Sequence, residues 1–239
     1  MPGRHTSTPL QRQLAGTAAA RPTALDAFRQ ACRTFLAGDR VDMQALARAL
    51  NVDRATLYRW VGSREQLLSE ILWSLIDPTI EKLRKAHCQP GQPAVAGQSP
   101  AVPGQSPAVP GQSPAVPGQS PAVPGQSPAA AVITGTVRAV IANQGMQRFL
   151  DREGDLALRL LTTKASGFEA RLVALIADLV SEEAESGRLT AAVPLDDLPY
   201  VLVRIMESYI YLGLITGEHP DPDRAGRVIN ALLPGRLVG

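Results

Sequence analysis

The sequence is poor in several residue types, and each shortage narrows the class of protein. Only 4% of its 239 residues are aromatic, whereas 45% are hydrophobic. A core built mostly from aliphatic side chains, with few of the aromatic residues that favour strands, predicts an all-α protein. Two cysteines are too few for a disulfide framework, and three histidines leave little material for a metal or catalytic site.

Long apolar runs are also missing. No run approaches the roughly 20 residues that span a bilayer, and nothing before Arg21 resembles the apolar core of a signal peptide. We therefore expect a cytoplasmic protein with no membrane partner. No Ser/Cys–His spacing, phosphate-binding glycine run or paired carboxylates stand out, so we expect no enzyme and no cofactor. The adjacent His87 and Cys88 have no further ligands nearby, so no metal site is expected.

The charge is unevenly distributed along the chain. Residues 1–87 hold 13 basic and 8 acidic side chains, a balance of +5, whereas the remainder is at −3 and the whole chain at +2. A basic first third is typical of a domain that binds a polyanion. The acidic remainder is typical of a second domain that does not need to touch the polyanion. The excess is modest and does not by itself argue for DNA binding.

The stretch from Asp42 to Leu68 predicts a helix-turn-helix. Asp42 is a good N-cap for a first helix, and Asn51 tolerates the left-handed backbone of a sharp turn. Asp53 can cap a second helix running to Val61, which Gly62 ends, and Ser63 opens a third helix in a capping-box pattern. Ala47 is small, Asn51 is a turn residue and Leu57 is apolar. The spacing of these three residues lets two helices cross closely.

The same stretch, VDRATLYRWVGSREQLL from Val52 to Leu68, resembles the DNA-binding end of TetR-type bacterial transcription regulators. That resemblance implies a recognition helix at 53–61 whose N-terminal residues Arg54, Ala55 and Thr56 contact base edges in the major groove. Trp60 stands where the family commonly has histidine. A phosphate contact at this position is therefore reduced to a single indole N–H, or the side chain only packs. The side chains better placed for phosphates are Tyr58, Arg59, Ser63 and Arg64.

The chain divides into segments by composition. The heptapeptide PGQSPAV begins at Pro103, Pro110 and Pro117, and PGQSPAA at Pro124. Two prolines and a glycine in each repeat exclude a helical heptad pattern and predict a linker. We divide the chain into a disordered arm (1–20), a DNA-binding head (21–68), a connecting helix (69–88), the repeat linker (89–128) and a helical body for ligand binding and dimerisation (129–239).

Helical periodicity predicts the remaining elements. Helix 23–37 carries an apolar stripe of Leu25, Phe28, Cys32, Phe35 and Leu36, and Pro78 should bend or break the connecting helix near Asp77. In the body we expect helices at 132–144, with a possible extension at 147–151 after Gly145, then at about 155–161, 168–186, 196–214 and 222–233.

The family resemblance implies that helices 168–186 and 196–214 pair with their symmetry mates in a homodimer. Residues 151–218 further resemble an actinobacterial subgroup, the QsdR-like repressors of lactone-degrading genes. Arg204 and Glu207 favour a structural ion pair over a pocket role on their apolar helix. Candidate contacts to an unknown small-molecule effector are Arg159, Arg204, Met206, Glu207 and Tyr209.

These observations lead to one main hypothesis and one alternative. The main hypothesis is a ligand-responsive homodimeric transcription regulator that acts as a repressor. It would bind palindromic double-stranded operator DNA through helix 53–61. The alternative is a helical small-molecule-binding or scaffolding protein whose head no longer binds DNA. Asp53, a carboxylate at the recognition helix, and Trp60 are the residues that favour the alternative.

Overall fold

The computed structural model describes residues 21–87, 126–163, 166–189 and 193–235. Within these ranges the chain forms helices and no strand, with two isolated bridges, Gln126 to Pro234 and Leu189 to Gly235. The prediction of an all-α fold is confirmed. The expected arm and most of the repeat linker lie outside the described residues. The helices are α1 (Ala24–Leu36), α2 (Met43–Ala49), α3 (Arg54–Val61), α4 (Arg64–His87), α5 (Pro128–Ala142), α6 (Gln144–Thr162), α7 (Phe168–Glu185), α8 (Leu198–Ile210), α9 (Leu212–Thr216) and α10 (Pro222–Leu232).

The first three helices and the start of α4 form the head. Side-chain caps fix where each of the three begins: Thr23 accepts a hydrogen bond from the Asp26 amide, Asp42 from Ala45 and Asp53 from Thr56. Each cap satisfies one of the amide groups that the first turn of a helix leaves unpaired. The short helices α2 and α3 therefore start at defined residues although neither is long enough to be stable alone.

The buried face of α1 differs from the predicted stripe. Leu25 and Leu36 are about half exposed, at 52% and 46%. The helix instead buries Ala27, Ala31 and Phe35. It packs against α2, α3, α4 and α6, and small side chains let these helices approach closely. The apolar pattern predicted that the bulky residues of α1 form its buried face, whereas the alanines line the contact.

Helix α4 shows a second difference from the sequence prediction. It runs as one element from Arg64 to His87 with Pro78 inside it, so no break occurs at Asp77. Pro78 removes one amide donor, but Ser74 and Thr79 donate their hydroxyls to carbonyl oxygens in the neighbouring turns, at 2.7 and 2.6 Å. The long contact of α4 with α5 supports the helix through this point.

Helix α5 lies at the centre of the body and packs against α4, α6, α7, α8 and α10. It begins at Pro128, earlier than the predicted Val132, because Ser127 caps it and Pro128 occupies its first turn, where a missing amide costs nothing. The last copy of the repeat thus supplies the start of a helix. The fully buried apolar side chains of α5 are Ala129, Ala130, Val132, Ile133 and Val137.

The other body helices fall close to their predicted positions, except that the helix expected at about 155–161 is the second half of α6, which bends at Glu153 and does not end there. The break expected near Gly145 lies at Asn143, whose side chain caps α6 by accepting from the Met146 amide at 2.9 Å. Helix α7 ends one residue before the predicted Ser186, and the expected helix 196–214 is divided at Tyr211 into α8 and α9. None of the described helices is both long and apolar enough to cross a membrane.

Candidate nucleic-acid interface

Helix α3 presents one face to solvent and anchors itself by the other. Leu57 is its single buried side chain, at 0% exposure, and Val52, Thr56 and Trp60 are half-buried around it. The turn before α3 passes through Asn51 at φ 53°, the left-handed conformation expected for this residue. Since the inward residues lie on one side, the exposed side chains share the other: Arg54, Ala55, Tyr58 and Arg59.

Asp53 is held by the helix that it precedes. Its carboxylate accepts hydrogen bonds from the Thr56 amide at 2.8 Å and from the Thr56 hydroxyl at 2.9 Å. The amide bond, followed by the hydroxyl bond, lowers the pKa of Asp53, so the group is a carboxylate at neutral pH. The negative charge of Asp53 interacts with the positive end of the helix dipole. This interaction weakens the argument that Asp53 repels DNA.

The two exposed arginines of α3 are positioned by neighbours on the same helix. Arg54 donates to the Tyr58 hydroxyl at 3.2 Å and stacks 5.3 Å from its ring centroid. Arg59 donates to the Thr56 hydroxyl oxygen at 3.1 Å. One turn of helix separates the members of each pair, so these contacts hold both guanidinium groups against the helix surface. Both groups keep unused donors that point to solvent.

Trp60 and Ser63 contribute to the local fold. Trp60 packs partly buried against the hydrophobic core, which is the packing role anticipated as one of its two options. Ser63 and Gln66 form the predicted capping box: the Ser63 amide donates to the Gln66 side chain at 2.7 Å, and the Gln66 amide to the Ser63 hydroxyl oxygen at 3.2 Å. The start of α4 is therefore fixed directly after the recognition helix.

Arg64 does not share the exposed face with Arg54 and Arg59. Its guanidinium group turns inward, where Nε donates to the Val41 carbonyl oxygen at 2.6 Å and Nη2 to the Glu153 carboxylate at 2.7 Å. Only 16% of the side chain is exposed. The structure thus brings Arg54, Ala55, Thr56, Tyr58 and Arg59 together on one helix and leaves Arg64 at the junction with the body.

The five candidate effector residues do not meet in one cavity. Arg204 pairs with Glu169 of α7 at 2.7 Å and with Glu207 at 3.0 Å, and it lies 5.1 Å from the Tyr200 ring centroid. This is the structural ion pair that the sequence favoured. Met206 is buried in the core, Tyr209 is half-buried on the same helix, and Arg159 is exposed on α6.

A separate apolar cavity of about 60 Å³ lies in the body beside the head. It is lined by α4, α5, α6, the start of α7 and the end of α1. Sequence reasoning placed several of its residues in the core but had no signal that they leave a gap. The lining residues are Phe35, Leu72, Leu75, Ile76, Thr79, Ala139, Val140, Asn143, Met146, Leu161 and Phe168.

An exposed helix with two arginines and a tyrosine, set beside a tight turn, has the shape and chemistry to enter a major groove. Comparisons with known proteins find similarities to the body and to the fold of most of the chain. Residues 124–234 match the family described as tetracyclin repressor-like, C-terminal domain. The structure of the R. erythropolis transcriptional repressor QsdR, from the TetR family, matches with a TM-score of 0.61 and 26% identity over 88% of this chain and 93% of that one. Among curated proteins there is no match.

These similarities support a TetR-type transcription regulator, since the body matches the family's C-terminal domain and most of the chain shares the fold of a TetR-family repressor. The resemblance read from residues 52–68 and the match over residues 124–234 come from opposite ends of the chain. Both ends of the chain therefore resemble the same family.

Glu207 yields a prediction for the pH dependence of stability. Burial raises its pKa from the ordinary 4.5 to about 7, although Arg204 acts in the opposite direction. Because the folded state holds this proton more tightly than the unfolded state, Glu207 makes stability fall as pH rises from about 4.5 to 7. The difference corresponds to about 3 kcal/mol above that window.

Glu207→Gln should therefore flatten the decline and raise stability at pH 8, as measured by urea unfolding across pH 4.5–8. Glu182→Gln, at an exposed carboxylate on α7, is the control and should leave the profile unchanged. A wild-type profile that rises over this range would contradict the assignment.

Proposed function

We propose that this protein is a homodimeric, ligand-responsive repressor that binds palindromic operator DNA through α3. The observation that carries the proposal is the exposed face of α3, with Arg54, Tyr58 and Arg59 directed away from the buried Leu57. The QsdR structure belongs to a transcriptional repressor, which supports the sign of regulation. DNA binding at the head and ligand binding in the body would then be coupled through the helices that join them.

The chemistry of α3 suggests how bases and phosphates are divided among its residues. Arg54 opens the helix, where a guanidinium group can bind guanine O6 and N7 together, and the Thr56 methyl or Ala55 can contact a thymine methyl. Tyr58 and Arg59 lie one turn further on and suit phosphate oxygens. The contacts of Arg54 to Tyr58 and of Arg59 to Thr56 reduce the side-chain freedom that binding must restrict.

The dimer is proposed to form through α7 and α8. Small and apolar side chains remain exposed or half-buried along both helices, including Ala174 on α7 and Tyr200 and Ile205 on α8. Tyr200 is 52% exposed, an unusual fraction for a large aromatic side chain on a helix so apolar. Pairing of the two helices with their symmetry mates would cover this surface and place two heads on one operator.

The effector is proposed to bind in the apolar cavity between α4, α5, α6 and α7. Its present volume of about 60 Å³ is too small for most ligands, so binding would have to move the surrounding helices apart. One of those helices is α4, which continues from the body into the head. A ligand that prefers the expanded cavity could therefore shift the head away from its DNA-binding position by its differential affinity for the two states.

Substitutions in α3 test the division between base and phosphate contacts. Arg54→Ala should weaken operator binding by about 1–3 kcal/mol and relax base preference at one position of each half-site. Arg59→Ala should weaken binding to all duplexes alike and reduce the slope of log K against log salt by about 0.9 for each phosphate that the variant leaves unneutralised. Fluorescence anisotropy on operator and point-mutant duplexes measures both, with Arg224→Ala on α10 as the control. Wild-type affinity for operator DNA in both variants would contradict the assignment of α3 as the recognition helix.

Dimerisation is tested on the outward face of α7. Ala174→Arg places a long cation where the two subunits would meet, so analytical ultracentrifugation should show a monomer. The monomer should also bind operator far more weakly, because a single head engages only one half-site. Ala170→Ser is the conservative control on the same helix and should remain dimeric. A dimer of unchanged affinity in Ala174→Arg would place the interface elsewhere.

Filling the cavity tests the effector site. Val140→Phe should occupy the space and block release of operator by compounds that release it from the wild-type protein, while operator binding itself persists. Val228→Phe on the exposed face of α10 is the matched control and should respond normally. A small-molecule screen that reads operator release by anisotropy supplies the compounds. Equal release from the Val140 variant and the wild type would rule out this cavity.

A further inference from the structure

The first half of α6 lies directly against the head. A Cβ on Gly145 would come within 2.4 Å of the Phe35 carbonyl oxygen, so only glycine permits this approach of α6 to the end of α1. Phe149, one turn further along, packs edge-on against Phe35 with ring centroids 5.6 Å apart. These contacts fix α6 on the head by its apolar side.

Two arginines of α6 then bind the end of α1. Arg148 donates to the Ala37 carbonyl oxygen at 2.7 Å, and Arg152 to the Gly38 carbonyl oxygen at 3.0 Å. The last carbonyl groups of a helix lack partners within it and carry partial negative charge. Both guanidinium groups therefore complete the C-terminus of α1 with charge-assisted hydrogen bonds. The turn at Gly38, with φ 76°, presents its carbonyl to Arg152.

The next residue of α6, Glu153, binds the start of α4. Its backbone leaves helical geometry, at φ −134° and ψ 38° in the middle of the helix. Its carboxylate pairs with Arg64 at 2.7 Å and with Arg40 at 3.7 Å, and its side chain is 17% exposed. Arg64 is the first residue of α4 and follows the recognition helix by three positions. Residues 148–153 thus hold both the end of α1 and the start of α4.

We propose that residues 148–153 of α6 form a polar latch that sets the position of the head on the body. Through this latch Arg64 is a positioning residue for operator binding, in place of the phosphate contact expected from the sequence. The DNA-binding part of this inference rests on the proposed function. Its physical basis is that Arg64 is largely buried and already engaged on two sides, by Val41 and by Glu153.

The latch affects operator binding because a dimer must match two half-sites at a fixed spacing. If a head is loosely held, it visits many spacings, and binding must restrict it to one at an entropic cost. Non-specific DNA requires no fixed spacing between the heads. Loss of the latch should accordingly weaken operator binding more than non-specific binding, and without removing a phosphate contact.

The test compares Arg64→Gln, Glu153→Gln and the double variant in operator binding across a salt series. Each single variant should weaken operator binding between about two- and thirtyfold. The double variant should bind no more weakly than the weaker single variant, because both substitutions break the same pair. The slope of affinity against salt should stay at the wild-type value. Glu182→Gln breaks an Arg84 pair between α4 and α7 within the body and should have no effect.

A phosphate role for Arg64 predicts a different pattern and would overturn the proposal. Arg64→Gln would then lower the salt slope by about 0.9. Glu153→Gln would leave operator binding unchanged or strengthen it, because it would release Arg64 for DNA. The double variant would bind as weakly as Arg64→Gln alone, with the same reduced slope.

Hydrogen exchange of the free protein separates failure of the latch from failure of the proposed function. Both single variants should speed amide exchange in α1–α3 and leave exchange in α5 and α10 unchanged. If the wild-type protein binds no DNA, the proposed function fails and this measurement still decides the latch. Unchanged exchange in the head of both variants would overturn it.

Discussion

The head depends on the burial of Leu57. Helix α3 has eight residues, too few to persist alone in water, and Leu57 is the one side chain that it buries completely. The neighbouring α1, α2 and α4 all pack against α3, so this single anchor fixes the rotation of the helix about its axis. Rotation in turn decides which residues face outward. The exposure of Arg54, Tyr58 and Arg59 is therefore a consequence of where Leu57 is held.

The local parts of this arrangement could be predicted from the sequence because they depend on residues close together in the chain. Asp42, Asp53 and the Ser63–Gln66 pair act within three residues of their partners, and Asn51 adopts its left-handed turn for steric reasons of its own. Helical periodicity located most helices for the same reason. The family resemblance rested on these same local signals.

Features that depend on distant residues could not be predicted. Arg64 lies 89 positions from Glu153, and no pattern in the sequence shows that the two meet. The alanine face of α1 reflects the closeness of neighbouring helices. The cavity is likewise a gap between five helices. Charge and amphipathicity patterns describe a single helix. The ion pair, the close helix contacts and the cavity each depend on how two or more helices pack together.

Helix α6 connects the two proposed sites. Met146 and Leu161 line the cavity, and residues 148–153 between them bind the head. Phe35 belongs to both regions, since it lines the cavity and packs on Phe149. A ligand that displaced α6 would act on the cavity wall and on the head contacts together. The short distance between cavity and head along one helix gives the proposed coupling a direct physical route.

The most direct test of the central claim is a selection of random duplex DNA with the full-length wild-type protein, followed by anisotropy on the enriched sequence with excess competitor DNA. The account predicts an enriched palindrome, saturable binding at two subunits per site that survives competitor, and affinity that falls steeply with salt. No enriched sequence, or binding that competitor abolishes, would contradict it. That outcome would favour a helical ligand-binding protein whose head does not recognise DNA.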